Sequence, residues 1–227
     1  MNTWRIARLV AAKDLRIEAR SRVVTNQVLP FAALTMVMFA FALDNDSVLE
    51  RVAPGLVWLA TLFAVLVVVQ RSFGVETADG ALDALQVAGV RPAGIFLGKS
   101  MALAAQLAVL EAVLLAAAVV LYKAEIPADG VLLLVVTFVA ATLGLSFVGT
   151  LYGGLAAGAK GRETLLPLLL LPVVAPVLIG ATRATEAALG TNGATSSEGW
   201  PWVGLLVLFA VLFGAGGTIA FGSLIDE

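Results

Sequence analysis

Six apolar runs, each close to the length that crosses a bilayer, restrict the fold of this chain more than any other feature. They lie at about 24–43, 52–70, 100–122, 130–152, 164–182 and 201–222. A transmembrane helix needs about 20 mostly apolar residues, because the hydrocarbon core of a bilayer is about 30 Å thick. Backbone polar groups find no water there, so each run must satisfy its own hydrogen bonds as a helix. The runs predict an all-α polytopic membrane protein with six transmembrane helices.

The composition leaves little protein outside the bilayer. Of 227 residues, 60% are hydrophobic and 13% are charged, whereas soluble domains carry about 25% charged residues. Six spans of about 20 residues leave only short loops, so residues 1–227 are predicted to form a single transmembrane domain. The net charge of −2 offers no large basic face to phosphates, which argues against nucleic acid as a partner.

Cysteine and histidine are both absent from the sequence. Their absence excludes disulfides, thiolate metal sites, histidine ligation of haem iron and histidine-based catalysis. We therefore expect no catalytic residues, no metal site and no cofactor bound by this chain. Met36, Met38 and Met101 are the soft iron ligands within or near the spans, although packing in the core or against lipid is the simpler interpretation.

Residues 1–22 combine basic and apolar side chains at helical spacing. Ile6, Val10 and Ile17 form one stripe beside a broad basic side. The pattern predicts an N-terminal amphipathic helix on the cytoplasmic membrane surface. The basic side consists of Arg5, Arg8, Lys13, Arg16 and Arg20.

The distribution of Lys and Arg predicts the orientation. If both termini are cytoplasmic, inside segments hold most of the basic residues, and Arg51, Lys123 and Arg183 alone lie outside. The positive-inside rule favours that arrangement, and an even number of spans agrees with it. On the outer side, the glycine-containing segment 183–200 is interpreted as a longer flexible connection.

The cytoplasmic loop between the second and third spans contains a turn followed by an amphipathic pattern. Asp79-Gly80 indicates the turn, and Leu82 and Leu85 then lie on one side of a short helix. We predict a short cytoplasmic helix over 76–89, which either docks into a cleft on a soluble partner or is a surface helix without a partner. Composition alone favours the surface helix, because most loop helices have no partner.

This loop resembles the coupling-helix region of ABC-2 type exporter permeases. The resemblance rests on Glu76, Asp79-Gly80, Leu82 and Leu85, followed by Pro92 and Gly98-Lys99. It implies that these five loop positions contact a separate ABC-type ATPase, which would bind the ATP.

Two further motifs resemble the haem exporter protein B family more specifically. They are Ala53-Pro54-Gly55-Leu56-Val57-Trp58-Leu59-Ala60 in the second span and the fifth-span segment 171–179, which contains Pro172 and Pro176. The resemblance implies a permease of the bacterial cytoplasmic membrane that serves cytochrome c maturation, with haem as a possible substrate of the complex. The implied partners are the ATPase, a second copy of this chain and a haem-handling membrane subunit.

The segment Ala93–Ser100 fits a relaxed phosphate-binding loop pattern that ends in Gly98-Lys99-Ser100. Such a loop needs small residues whose N–H groups converge, and it follows a β-strand. Ile95, Phe96 and Leu97 are bulky, and a transmembrane run follows them. The sequence therefore predicts that this segment does not bind nucleotide.

Glu111 lies near the middle of the third span, where an exposed carboxylate would cost about 2.5 to 3.5 kcal/mol. Ala104, Ala108, Ala112 and Ala116 recur every fourth residue beside it, as in closely packed membrane helices. Two interpretations stay open for Glu111. It is either a protonated packing residue, which we favour, or part of a polar pathway or switch.

Several functions remain compatible with the sequence. Within the resembled family, the bundle either passes haem across the membrane or converts ATP-driven motion into remodelling of a neighbouring haem-handling subunit, and the missing imidazole favours remodelling. An ABC-2 permease for a lipid, glycan or drug would share the loop motif. A membrane scaffold without an ATPase is the alternative from another class.

Overall fold

The computed structural model consists of helices joined by short connections. It describes residues 2–43, 45–78, 84, 87–157 and 161–225, and at 75–78, 162–163 and 224–225 it describes the backbone alone. No strand occurs within these ranges. The helices are α1 (Thr3–Ser21), α2 (Leu29–Ala42), α3 (Asp46–Ala78), α4 (Pro92–Tyr122), α5 (Val131–Ala157), α6 (Arg162–Leu189) and α7 (Ser196–Ile225).

Six helical segments in the described part of the chain are long and apolar enough to cross a membrane. The first consists of a π-helical turn, Val24–Val28, that continues directly into α2. The other five are α3 to α7. The predicted all-α architecture with six spans is therefore confirmed.

The helices extend beyond the apolar runs of the sequence. α3 continues from the predicted end near residue 70 to Ala78, and α6 continues to Leu189. A helix satisfies its own backbone hydrogen bonds, so it can project into water beyond the apolar run. The interpretation of 183–200 as a long flexible connection is wrong, because α6 ends at Leu189, a 3₁₀ turn covers Thr191–Gly193 and α7 begins at Ser196.

α5 is the central helix of the bundle and packs against α3, α4, α6 and α7. Its Gly153-Gly154 pair makes this possible, because Phe73 of α3 fills the space beside Gly153 and Phe221 of α7 fills the space beside Gly154. A side chain at either glycine would overlap a buried ring. Small residues thus set the helix spacing here, as they commonly do in membranes.

Candidate functional site

The N-terminal helix α1 docks on the first half of α4 through small residues on both helices. Ala7 and Ala11 of α1 are buried. The Ala7 backbone lies against Gly98 of α4, and Ile6 lies against Gly94. A Cβ atom at Gly98 would lie 2.6 Å from the carbonyl oxygen of Ala7 and 2.6 Å from Cβ of Val10. The two helices approach so closely that only glycine fits at this position.

The amphipathic helix is present, but its apolar stripe divides between two surroundings. Ile6 and Val10 are buried against α4 rather than turned to lipid, while Ile17 is 37% exposed. Trp4 and Leu9 are more than half exposed and lie beside Arg5 and Arg8. The stripe predicted to face lipid therefore faces protein over most of its length, because a membrane bundle buries small-residue faces against each other.

Lys99, one residue after Gly98, is buried at the meeting point of three helices. Its Nζ lies 3.2 Å from Oδ2 of Asp14 in α1 and 3.2 Å from Oγ of Ser72 in α3. The same Nζ lies 4.5 Å from the ring centroid of Phe73. Lys99 is 2% exposed and Asp14 is 9% exposed, so this ion pair is shielded from solvent. We call Asp14, Ser72, Phe73 and Lys99 the Lys99 cluster.

These contacts explain the segment that imitates a phosphate-binding loop. Gly94 and Gly98 receive α1, and the Lys99 ammonium is occupied by Asp14 and Ser72. The whole segment is helical from Pro92 onward, so its N–H groups do not converge on an anion. The sequence excluded nucleotide binding here, but it did not identify the docking role. The signal was the small-residue pair Gly94-x-x-x-Gly98, against which Ile6, Ala7 and Val10 of α1 pack.

Glu18 connects α1 to the first span. The chain leaves α1 at Arg22, whose φ of 51° is left-handed, and the backbone N–H of Val24 donates to Oε1 of Glu18 at 2.6 Å. A cavity of about 40 Å³ lies beside this junction. Its polar lining groups are Asp14, Glu18, Arg71, Ser72 and Gln106. The N-terminal helix is therefore fixed to both the first span and the Lys99 cluster.

The predicted coupling segment begins where the described structure becomes sparse. Glu76 belongs to the last turns of α3, and Asp79, Gly80, Leu82 and Leu85 lie outside the described residues. Ala84 and Val87 are in helical conformation, and Gly89 ends the segment with a φ of 67°. The assignment of these five positions to ATPase coupling stays a prediction. The Lys99 cluster holds the two helices from which this loop emerges.

The motif Ala53–Trp58 lies in α3 and packs into the bundle. Ala53 and Trp58 are buried, and Pro54 is accommodated inside the helix. Trp58 Nε1 donates to Oγ1 of Thr185 in α6 at 2.9 Å. Its ring lies 5.0 Å from that of Phe138 in α5, so Trp58 joins three helices.

Gly55 and Trp58 also line a groove of about 360 Å³ between α3 and α6. Thr182, Arg183 and Glu186 line the opposite side, and Arg183 pairs with Glu186 at 2.9 Å. The groove places the motif at the end of α3 remote from the Lys99 cluster.

The prolines of α6 do not interrupt the helix, which is continuous from Arg162 to Leu189. Pro172 and Pro176 lie on its exposed face. Proline has no N–H to donate to the carbonyl four residues earlier, so the face with both prolines also presents backbone acceptors.

Glu111 is buried between α4 and α5. It is 1% exposed, and its Oε2 is hydrogen-bonded to Oγ1 of Thr142. No basic group of the described residues pairs with it. The packing role of Glu111 stays a prediction.

The methionines are dispersed rather than gathered into a ligand set. Met36 is buried in the core, and its carbonyl accepts a hydrogen bond from the hydroxyl of Tyr122 at 2.7 Å. Met38 is 63% exposed on α2, and Met101 is 37% exposed on α4. Among the described residues, no group of three or more acidic side chains could hold a metal ion either.

The contacts described above join the six spans into one helical bundle. They define the chain as a multi-pass membrane protein. Its relationship to known proteins is specific. The CcmB protein family matches residues 5–221, and the chain belongs to this family.

Curated relatives resemble the chain over most of its length. "Heme exporter protein B" of Rhodobacter capsulatus is 32% identical over 185 residues, which cover 81% of this chain and 84% of the relative. The protein of the same name from Pseudomonas aeruginosa is 30% identical over 214 residues, covering 89% and 90%. That of Escherichia coli is 28% identical over 189 residues, covering 83% of each chain.

Proposed function

We propose that this chain is the membrane-spanning permease subunit of an ABC transporter complex that handles or exports haem in cytochrome c maturation. Membership of the CcmB family and the names of the relatives support the haem assignment. ATP would be hydrolysed by a separate subunit, since the segment most like a nucleotide loop is occupied by helix packing. The complex would include a second copy of this chain and a haem-handling membrane subunit.

The Lys99 cluster is the observation that carries the mechanical part of this proposal. α3 and α4 are the two helices that flank the predicted coupling loop, and Lys99 bonds Ser72 of α3 and Asp14 of α1. A displacement of the loop by the ATPase would move the end of α3 and the start of α4 together. Because α1 is held by the same ammonium, it would move with them. Contacts between the loop and the ATPase would supply the force, and the Lys99 cluster would transmit it to α1, α3 and α4.

The proposed location is the bacterial cytoplasmic membrane, with both termini in the cytoplasm. Successive spans reverse direction, so α1, the end of α3, the start of α4 and the start of α6 share one face. Arg5, Arg8, Arg71, Arg91 and Arg162 belong to these segments. Positive charge on the cytoplasmic side supports this orientation.

Substitution of both Leu82 and Leu85 by glutamate should abolish co-purification of the ATPase and the maturation of c-type cytochromes. Two carboxylates cannot be desolvated in an apolar cleft without a large penalty. Pull-down of the tagged chain from gently solubilised membranes, with haem staining of cytochromes, measures both effects. Ile126→Glu, in the connection at the opposite face, is the matched control and should retain both.

The outcomes also separate the competing functions. An ATPase that co-purifies while cytochrome maturation stays independent of the chain would indicate a permease for a lipid, glycan or drug. Absence of any ABC-type ATPase under gentle conditions would favour a scaffold and contradict the proposal.

The isolated chain should not bind haem stoichiometrically. It has no histidine, Met36 is buried, and Met38 and Met101 lie on different helices. We therefore favour remodelling of a neighbouring haem-handling subunit over passage of haem through this bundle. Titration of the purified chain with haem, followed by absorption spectroscopy, tests this. Saturable one-to-one binding with a methionine-ligated spectrum, lost in Met38→Leu or Met101→Leu, would overturn the preference.

A further inference from the structure

A groove on the outer surface of α4 and α5 contains the buried carboxyl group of Glu111. Its volume is about 490 Å³, and its lining is apolar apart from Glu111 and Thr142. One wall consists of the small residues Ala104, Ala108 and Ala112, and the opposite wall includes Val135, Phe138 and Val139. Ala108, Val135 and Val139 are exposed, so the groove is open to whatever surrounds the bundle.

The hydrogen bonds of Thr142 determine the form of the carboxyl group. Thr142 Oγ1 lies 2.6 Å from the carbonyl oxygen of Phe138 and is also hydrogen-bonded to Glu111 Oε2. A hydroxyl has one proton, and a backbone carbonyl can only accept. Both contacts can be hydrogen bonds at the same time if the Thr142 hydroxyl donates to the Phe138 carbonyl and a protonated Glu111 donates to the Thr142 oxygen. A neutral acid also avoids the cost of a charge at this depth.

This arrangement leaves Oε1 of Glu111, a residue that lines the groove, as a carbonyl-type acceptor. Oε1 is buried and has no hydrogen-bond partner among the described residues. A buried acceptor without a donor costs about 1 to 3 kcal/mol, and lipid chains have no donor to offer. The groove therefore combines a small-residue wall, which admits a helix backbone closely, with one acceptor that requires a donor.

We propose that this groove binds a transmembrane helix of a different membrane protein, one with a small-residue face and a single hydrogen-bond donor at mid-membrane depth that bonds Oε1 of Glu111. A second copy of this chain fits poorly. Symmetric docking of the groove on itself would bring two acceptors together, because each carboxyl proton is already used on Thr142. The proposal does not depend on haem as the substrate.

Photo-crosslinking in the native membrane tests the proposal with the full chain. A benzophenone amino acid at Val139, at the edge of the groove, should form one discrete adduct whose cross-linked peptide is an apolar membrane-spanning segment of another protein. That segment should contain small residues and a side chain with an N–H or O–H donor. The same probe at Leu208, which is 59% exposed on α7, reports a surface outside the groove.

Three substitutions separate the two elements of the groove. Glu111→Leu removes the acceptor and should reduce the Val139 adduct by about three- to thirtyfold, the effect of one interhelical hydrogen bond in a membrane. Glu111→Gln keeps an acceptor oxygen and provides a donor for Thr142, so the adduct should persist. Ala108→Leu fills the groove from an exposed position and should also abolish the adduct, without disturbing the core.

Several outcomes would overturn the proposal. They are an adduct only with lipid, an adduct with a second copy of this chain, or an adduct unchanged by both Glu111→Leu and Ala108→Leu. Equal loss in Glu111→Gln and Glu111→Leu would exclude the acceptor role. If Glu111→Leu alters the Leu208 adducts as well, it has disturbed the fold, and Ala108→Leu then decides between support and rejection.

Discussion

Replacing Lys99 by methionine should lower the free energy of unfolding by about 3 kcal/mol. Removing one partner of a buried ion pair leaves the other charge without compensation, which typically costs about 3 to 5 kcal/mol. Lys13 also contacts Asp14, at 3.1 Å, but its side chain is 39% exposed and remains largely solvated, so it compensates only in part. Denaturation of the purified chain in mixed detergent micelles measures the change.

The exposed pair between Lys123 and Asp46 supplies the matched control. Lys123→Met should cost no more than about 1 kcal/mol, because solvent screens an exposed ion pair. The double substitution Asp14→Asn with Lys99→Met should recover part of the stability that Lys99→Met loses, since no buried charge then remains at the cluster. Equal costs for Lys99→Met and Lys123→Met would show that burial of the pair is unimportant.

Replacing Gly98 by leucine should detach α1 from α4. The new Cβ would meet the carbonyl oxygen of Ala7 at 2.6 Å, and a backbone atom cannot move aside as a flexible side chain can. Overpacking typically costs about 1 to 3 kcal/mol, so the docked state of α1 loses that much stability relative to the detached state. Because the chain has no cysteine, a single Ala11→Cys substitution reports the separation through labelling by a water-soluble maleimide.

Ala11→Cys should be protected in the otherwise unchanged chain and labelled when Gly98→Leu is added. Leu9→Cys, at a position that is 56% exposed, should be labelled in both backgrounds. Gly216→Leu is the matched glycine control, because no atom lies within 4 Å of a Cβ at that position. Continued protection of Ala11→Cys in the Gly98→Leu chain would mean that α1 is not held by this contact.

The bundle was predictable because the bilayer imposes a length on every apolar run. The interior of each span followed from composition, but its ends did not. α3 continues through Arg71 to Ala78. This part lies beyond the apolar run, so hydropathy does not show that its backbone is helical. The amphipathic character of α1 could also be predicted from the sequence. Its docking surface on α4 could not, because it depends on how the helices are arranged.

The site residues show where sequence reasoning stopped. The sequence predicts no nucleotide binding by the segment that contains Lys99, but it does not identify the partner of Lys99. Asp14, that partner in α1, is 85 residues away, and no local pattern links the two. The sequence singles out Glu111 as an acid near the middle of a span, but its partner Thr142 lies on the next helix. Such pairings depend on the relative rotation of neighbouring helices, which hydropathy does not encode.

The docking of α1 also has a consequence for biogenesis. α1 precedes α4 in the chain and packs on Gly94, Gly98 and Lys99 of α4, so its final binding surface does not exist until the third span has been synthesised. Docking of α1 on α4 would therefore follow insertion of the third span. Only chains in which that span has inserted in the correct direction would complete it.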